Sequence, residues 1–301
     1  MSRIFDALKR SEAERWSGDP LHLPETVTEL LQAAEGRRGL PRETDASSTP
    51  MGLFVPGGAS ILRPAPAPDA RLVCLTDPGS LGAEKFRVLG LRLRTLRDQR
   101  KLKRVVVTGT APEEGKSLIA ANLALNQARS KVLKTLLIDG DLRRPTIAGR
   151  FGVGELLPGL SECLRGERQL SEVVYRLEGT DLCLLPAGKA PENPLDLMQS
   201  GRLPELLDQL GTFFDWIVID TPPMFPLADT TLWMKMSDGV LLVIREEVSE
   251  RKLLQRAVNT LDRATLLGVV VNSCSSRDHK YYYSRYGKDA VQSLDSESPS
   301  E

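Results

Sequence analysis

The chain lacks any apolar run long enough to cross a bilayer. Stretches such as Val105 to Val107 and Val240 to Ile244 are of strand length, far short of the roughly 20 residues a span requires. There is no surplus of charge of either sign, with 40 Lys plus Arg against 40 Asp plus Glu. No global field therefore draws the chain to a membrane surface, and nucleic acid is not an expected partner. There is also no C-x-x-C pair. Cys74, Cys163, Cys183 and Cys274 are scattered, which argues against a zinc site or a disulfide framework and reads as core thiols. The N-terminus has no basic segment leading into an apolar one, and Asp6, Glu12 and Glu14 speak against a transit peptide. Cytosolic residence is the expectation. What is present is enough for a folded core: 301 residues, 41% of them hydrophobic, suffice for one large or two ordinary domains.

Four regions follow from composition. Residues 1–16 set Ile4, Phe5, Leu8 and Trp16 near helical spacing among charges, which predicts a short amphipathic helix that docks a partner or folds back on its own chain. Between residues 17 and 70 stand eight prolines, including Pro64, Pro66 and Pro68, with few aromatics, the composition of a disordered linker. From 72 to 275, short β-branched runs alternate with amphipathic stretches, the pattern of an α/β domain with a mostly parallel sheet flanked by helices. Strands are expected at Val105 to Thr108, Thr135 to Asp139, Leu182 to Leu185, Trp216 to Asp220, Val240 to Arg245 and Gly268 to Asn272. Helices are expected at Lys116 to Arg129, Leu203 to Leu210, Ala228 to Met236 and Glu250 to Arg263. Ahead of the first strand, Leu81, Phe86, Leu89, Leu93 and Leu96 make one face of a further helix. Residues 276–301 read as a polar tail.

The segment Gly109-Thr110-Ala111-Pro112-Glu113-Glu114-Gly115-Lys116-Ser117 joins a strand to a helix, the setting a phosphate-binding loop needs. Successive amides around Gly115 can converge on phosphate oxygens where the helix dipole favours negative charge. Lys116 can reach the β- and γ-phosphates of ATP, and Ser117 can bind Mg²⁺. The general P-loop pattern wants glycine five positions before Gly115, where Thr110 stands; Gly109 is one residue early. A Gly-Lys-Ser tripeptide also arises by chance at ordinary helix starts.

Two acidic motifs follow apolar strands. Leu136-Leu-Ile-Asp139-Gly-Asp141-Leu-Arg143 places two carboxylates at one sheet edge, and Trp216-Ile-Val-Ile-Asp220-Thr-Pro-Pro223 places a third. Carboxylates there can hold Mg²⁺ or take a proton from an attacking hydroxyl. Singly, each also reads as a turn or cap residue. Together with the loop, on parallel strands whose carboxyl ends gather ligands, they read as one site.

Over about residues 72–290 these motifs resemble the bacterial tyrosine kinases of capsule and exopolysaccharide systems, whose domain belongs with the deviant Walker P-loop NTPases that include MinD- and ParA-like ATPases. The resemblance rests on the G-T-x-P-x-E-G-K-S loop at Gly109 to Ser117, the D-x-D-x-R box at Asp139, Asp141 and Arg143, and the D-T-P-P box at Asp220 to Pro223. Asn193-Pro194 and the Gly268-Val-Val-Val-Asn272 strand are further family features. It implies a protein-tyrosine kinase using ATP and Mg²⁺, with loop residues Gly109 to Leu118 and Asn272 around the nucleotide. Ser117, Asp139 and Asp220 would serve the metal, Lys116 the phosphates, and Asp141 or Asp139 the tyrosine proton.

Four of the five tyrosines, Tyr281, Tyr282, Tyr283 and Tyr286, cluster in the tail, as the family's phosphoacceptors do. The plain alternative is an aromatic interface patch. Nine residues from Asn272 extend at most about 30 Å, enough to reach the chain's own site or a neighbour's. Each phosphate would add about −1.5 to −2 charges to a basic segment. The resemblance further implies a separate membrane polysaccharide co-polymerase as activator, a peripheral place at the inner face of the membrane through that partner, and a cognate tyrosine phosphatase. Self-association is expected through the helix carrying the E-x-x-R-x-x-R motif. Here Glu84 and Arg87 match and Gly90 stands third, with Arg92 or Arg94 as substitutes and a merely solvated face as the alternative. The rival reading is a partner-switching ATPase of the MinD or ParA kind, which carries a signature lysine where this chain has Ala111. A second rival is a catalytically poor regulatory ATPase that keeps the tail as a docking strip.

Overall fold

In a computed structural model, the residues described are 59–273 except 155, 156, 227, 247 and 263. The predicted N-terminal helix, most of the linker and the tyrosine tail lie outside them. Eight strands form one sheet: β1 Ser60–Leu62, β2 Arg104–Gly109, β3 Thr135–Asp139, β4 Tyr175–Leu177, β5 Leu182–Leu185, β6 Trp216–Asp220, β7 Gly239–Arg245 and β8 Leu266–Asn272. Their spatial order is β1-β4-β5-β3-β6-β2-β7-β8. All neighbours are parallel except β4 and β5. The longer helices and those that shape the site are α1 Leu81–Gln99, α2 Lys116–Ala128, α3 Ile147–Phe151, α4 Arg202–Phe213, α5 Asp229–Lys235 and α6 Arg251–Thr260.

The central strands are apolar on both sides because both sides are covered, so they read as continuous hydrophobic runs rather than alternating ones. Side-chain alternation then divides them. Val106, Leu136, Ile138, Ile217, Ile219 and Leu242 face a core that includes Leu203, Leu210, Trp233 and Leu254. Val105, Val107, Leu137, Val218 and Val243 face the other, with Ile119, Leu123 and Leu93. Helix α2 is buried almost throughout, with α1 packed outside it. It fits because its inner positions are small: Ala120, Ala121 and Ala124 are all fully buried.

The predicted strands and helices are present, most with ends moved by one to three residues. The linker reading fails at its C-terminal end. Ser60–Leu62 pair in parallel with Tyr175–Leu177, the Ala65 amide donates to the Phe151 carbonyl at 2.9 Å, and Arg63 pairs with Glu178 at 2.6 Å. A three-residue strand beside prolines leaves no periodicity to read. β4 escaped notice for the same reason, with only Tyr175 and Leu177 buried around exposed Arg176.

Candidate nucleotide and phosphotransfer site

The loop after β2 turns into α2 at Gly115, whose φ of 91° is left-handed and whose missing Cβ leaves room for the Asn272 amide 2.1 Å from the place a Cβ would take. The loop is built around a buried carboxylate. Glu114, fully excluded from solvent, accepts the Thr110 hydroxyl at 2.6 Å and the Ala111 amide at 3.0 Å. A Cβ at residue 109 would stand 2.1 Å from Glu114 Oε2. This explains the early glycine: the loop needs glycine where it passes the glutamate, and Thr110 is kept for its hydroxyl. From outside, the Asn272 amide donates to the Glu114 carbonyl at 2.9 Å and Arg245 to the Glu113 carbonyl at 3.3 Å. Pro112 and Glu113 are exposed, whereas Leu118 is half-buried against the core. Lys116 is 8% exposed and donates to the Ala111 carbonyl at 2.8 Å. Burial lowers its pKa against the opposing pull of Glu114, Asp220 and Asp141.

Across the sheet edge, Asp139 and Asp220 are register partners on β3 and β6. Asp139 Oδ2 accepts the Thr146 and Ile147 amides at 3.1 and 3.0 Å, and Oδ1 accepts the Asp141 amide at 3.3 Å. Despite these bonds its pKa stands well above the carboxylate range, first from burial and then from Asp220. Both oxygens of Asp220 are buried with no hydrogen-bond partner. Its pKa is pushed up to about 7, chiefly by burial; the Ser117 hydroxyl nearby pulls it back but does not reach bonding geometry with either oxygen. Asp141, less enclosed, accepts the Arg143 and Arg144 amides at 3.2 and 2.9 Å, and burial raises its pKa against those bonds and Lys116.

Asp141 and Asp220 act on Lys116, Asp139 lies beside Asp220, and Asp220 is buried with neither oxygen bonded, so the edge holds buried carboxylate that hydrogen bonds leave uncompensated. That deficit fits a divalent cation. Among the described residues no group of three or more His, Cys, Asp or Glu could by itself hold a metal ion. Mg²⁺ keeps waters and phosphate oxygens in its shell and takes only one or two protein carboxylates.

Beyond Asp139, away from the loop, lies an open cavity of about 640 Å³ lined by Asp69, Ala70, Pro145, Thr146, Arg150 and Pro186 among others. Arg150 Nε is buried there without a partner.

The structure brings Lys116, Ser117, Asp139, Asp141, Asp220 and Asn272 to one edge. It changes two expectations. The Ala111 amide is turned inward to Glu114 and is not free for phosphate. Arg94 does not stand free for the third motif position of α1, because its Nε donates to Gln127 at 2.9 Å. That third position faces inward: Gly90 is buried, and a Cβ there would come 2.2 Å from Asn126 Nδ2. Glu84 and Arg87 pair with one another.

Sequence reading missed Asp229, 2% exposed and held by Arg143 through contacts of 2.6 and 3.2 Å. It also missed Trp233, whose indole donates to the Gly140 carbonyl at 3.1 Å. The D-x-D-x-R spacing signals that Arg143 has an anionic partner without saying which; Arg150 carried no signal.

No family model matches the chain. The tyrosine-protein kinase YwqD of Bacillus subtilis (strain 168) is 32% identical over 213 residues, which are 70% of this chain and 89% of YwqD. This chain belongs to the bacterial tyrosine kinases. The crystal structure of the chimerical protein CapA2B2 superposes with a TM-score of 0.65 at 32% identity, covering 73% of this chain and 96% of the chimera. The septum site-determining protein MinD of Pyrococcus horikoshii OT3, solved with Mg-ADP, aligns with a TM-score of 0.51 at 23% identity over 58% of this chain and 72% of MinD. That likeness carries the fold alone. The family is one of tyrosine-protein kinases, and among the described residues no helix of this member is long and apolar enough to cross a membrane.

Proposed function

We propose that this bacterial tyrosine kinase transfers the γ-phosphoryl group of ATP to the tyrosines of its own tail, Tyr281, Tyr282, Tyr283 and Tyr286, and so regulates the polymerisation or export of a capsular or exopolysaccharide. The observation that carries the reading is the convergence of Lys116, Asp139, Asp141 and Asp220 at the carboxyl edge, between a helix N-terminus on one side and an open cavity on the other.

The amides of Gly115, Lys116 and Ser117 begin α2, where the helix supplies no internal acceptors, and they would receive phosphate oxygens. Lys116 would exchange the Ala111 carbonyl for the β- and γ-phosphates. Ser117 and Asp220 would hold Mg²⁺, which supplies charge neutralisation on the transferring group. Asp139 spends both oxygens on amides of the 141–147 turn and reads as the group that shapes that turn, with a share in the metal's surroundings. Asp141 is the carboxylate left to take the phenol proton. The cavity beside Asp139, whose lining includes Pro145 and Pro186, has volume enough for a tyrosine ring. Catalysis on this plan is positioning and charge compensation.

A partner-switching ATPase is not favoured, since its signature lysine is replaced by Ala111. A membrane activator, a peripheral location through it and a counteracting phosphatase belong to the same proposal. Self-association through α1 would use its exposed Val88 and Leu91 besides Glu84 and Arg87.

The test is incubation of the purified chain with ATP and Mg²⁺, with and without an activating segment, followed by mapping of phosphotyrosine by mass spectrometry. Phosphate on Tyr281 to Tyr286 is expected, reduced at least about 1,000-fold in Lys116→Met. ATP hydrolysis without phosphotyrosine in either condition would refute the kinase reading.

A further inference from the structure

One side chain reaches the phosphate loop from a distant part of the chain and has no place in the site described so far. Ser249 lies in the turn between β7 and α6. Its hydroxyl donates to Glu114 and accepts the Arg245 amide at 2.9 Å. Glu114 thus takes three donors, from Thr110, Ala111 and Ser249, and two of these come from the loop itself. Among the described residues, Ser249 is the donor that ties the carboxylate to the body of the domain.

A buried carboxylate within a loop that binds polyphosphate is costly twice over. It must be satisfied where water cannot reach it, and its charge repels the ligand unless it is held turned away. The geometry shows how both demands are met. The carboxylate sits on the inner side of the loop, its donors converge on it, and Gly109 is stripped of a side chain to let it pass. We propose that Ser249 is a positioning residue for the nucleotide: through Glu114 it fixes the curvature of residues 110–115, keeping the carboxylate inward and the amides of 115–117 aimed at phosphate. The inference rests on the reading that this loop binds nucleotide.

Removing the hydroxyl would leave Glu114 able to swing toward the phosphates while the chemistry at Asp141 stays intact. The expected signature is therefore on affinity and not on turnover. Ser249→Ala and Ser249→Thr in the full chain would be compared with the unsubstituted protein. Mg·ADP affinity would be measured by calorimetry, the KM for ATP and kcat by phosphotyrosine formation, and thermal unfolding alongside.

Ser249→Ala should weaken Mg·ADP binding and raise the KM for ATP by about tenfold, the low end for losing a hydrogen bond to a charged group, with kcat within about twofold. Ser249→Thr, which restores the hydroxyl, should return both to within about twofold. Unchanged affinity in Ser249→Ala overturns the inference, as does a loss that Ser249→Thr does not rescue, which would mark a packing role. An unsubstituted protein that binds no Mg·ADP would overturn the nucleotide reading itself and this inference with it, so the two failures are distinguishable.

Discussion

The two ends of the parallel sheet handle charge in opposite ways. At the amino ends of the strands every acid named here is answered. Asp238 Oδ2 accepts the Lys103 and Arg104 amides at 2.9 and 2.8 Å, Asp215 accepts the Lys134 amide at 2.9 Å and lies 3.7 Å from Arg97, and Arg104 pairs with Asp208 at 2.6 Å. Arg97 also lies over the Trp216 ring, 5.2 Å from its centre. At the carboxyl ends Asp220 has no partner, Asp139 is bonded yet still pushed toward its neutral form, and Lys116 is buried against its own loop. The contrast is one of carboxylates: Arg97 Nη1, Thr135 Oγ1 and Trp216 Nε1 are buried without partners at the first end, but its acids are answered, whereas at the second a buried carboxylate is left for something else to complete. Carboxylates pushed toward their neutral form gather where a ligand binds, and Asp139, Asp141 and Asp220, all shifted upward, lie together at the carboxyl edge.

The sharpest way to break the contrast is Asp141→Asn. It should lower the rate of phosphotyrosine formation by about 10²- to 10⁴-fold, the usual contribution of a positioned general base, with little change in Mg·ADP affinity by calorimetry. If affinity falls as far as rate, Asp141 serves the metal and not the proton. At the opposite edge, Asp238→Ala strands two backbone amides and should destabilise the fold by about 1–3 kcal/mol in denaturant unfolding while leaving the per-molecule rate unchanged.

A smaller effect concerns pH. Asp220 keeps its proton up to about pH 7 in the folded chain, whereas in the unfolded chain it ionises in the ordinary carboxylate range. Between those limits the folded state binds more protons than the unfolded one, so stability of the nucleotide-free protein falls as pH rises, and it levels off above about 7. The slope from one such group is at most about 1.4 kcal/mol per pH unit, and Asp139 shifts in the same direction. Asp220→Asn should flatten the decline, visible as a smaller drop in melting temperature between pH 5 and pH 7.5. An unaltered drop would place the responsible groups elsewhere.

Much of the working edge was legible because parallel strands end together. Once Val105 to Thr108, Thr135 to Asp139 and Trp216 to Asp220 read as buried strands, the residues after them had to share one edge. What was not legible depended on contacts distant in sequence. Nothing near Glu114 announces Ser249, 135 residues on, and nothing near Arg143 announces Asp229. The early glycine looked like a departure from a pattern and is a packing requirement of Glu114. Gly90 likewise looked like a lost motif position, although the helix turns it inward against Asn126. β1 and β4 were invisible because three residues carry too little pattern, and because Pro64, Pro66 and Pro68 made their neighbourhood read as linker.

The most direct test of the division between the edges is the initial rate of phosphotyrosine formation from Mg·ATP in Asp141→Asn and Asp238→Ala side by side, at a temperature where both variants are folded. Loss of the rate in Asp141→Asn and its retention in Asp238→Ala is the predicted result. Equal rates in the two would contradict the assignment of the chemistry to the carboxyl edge.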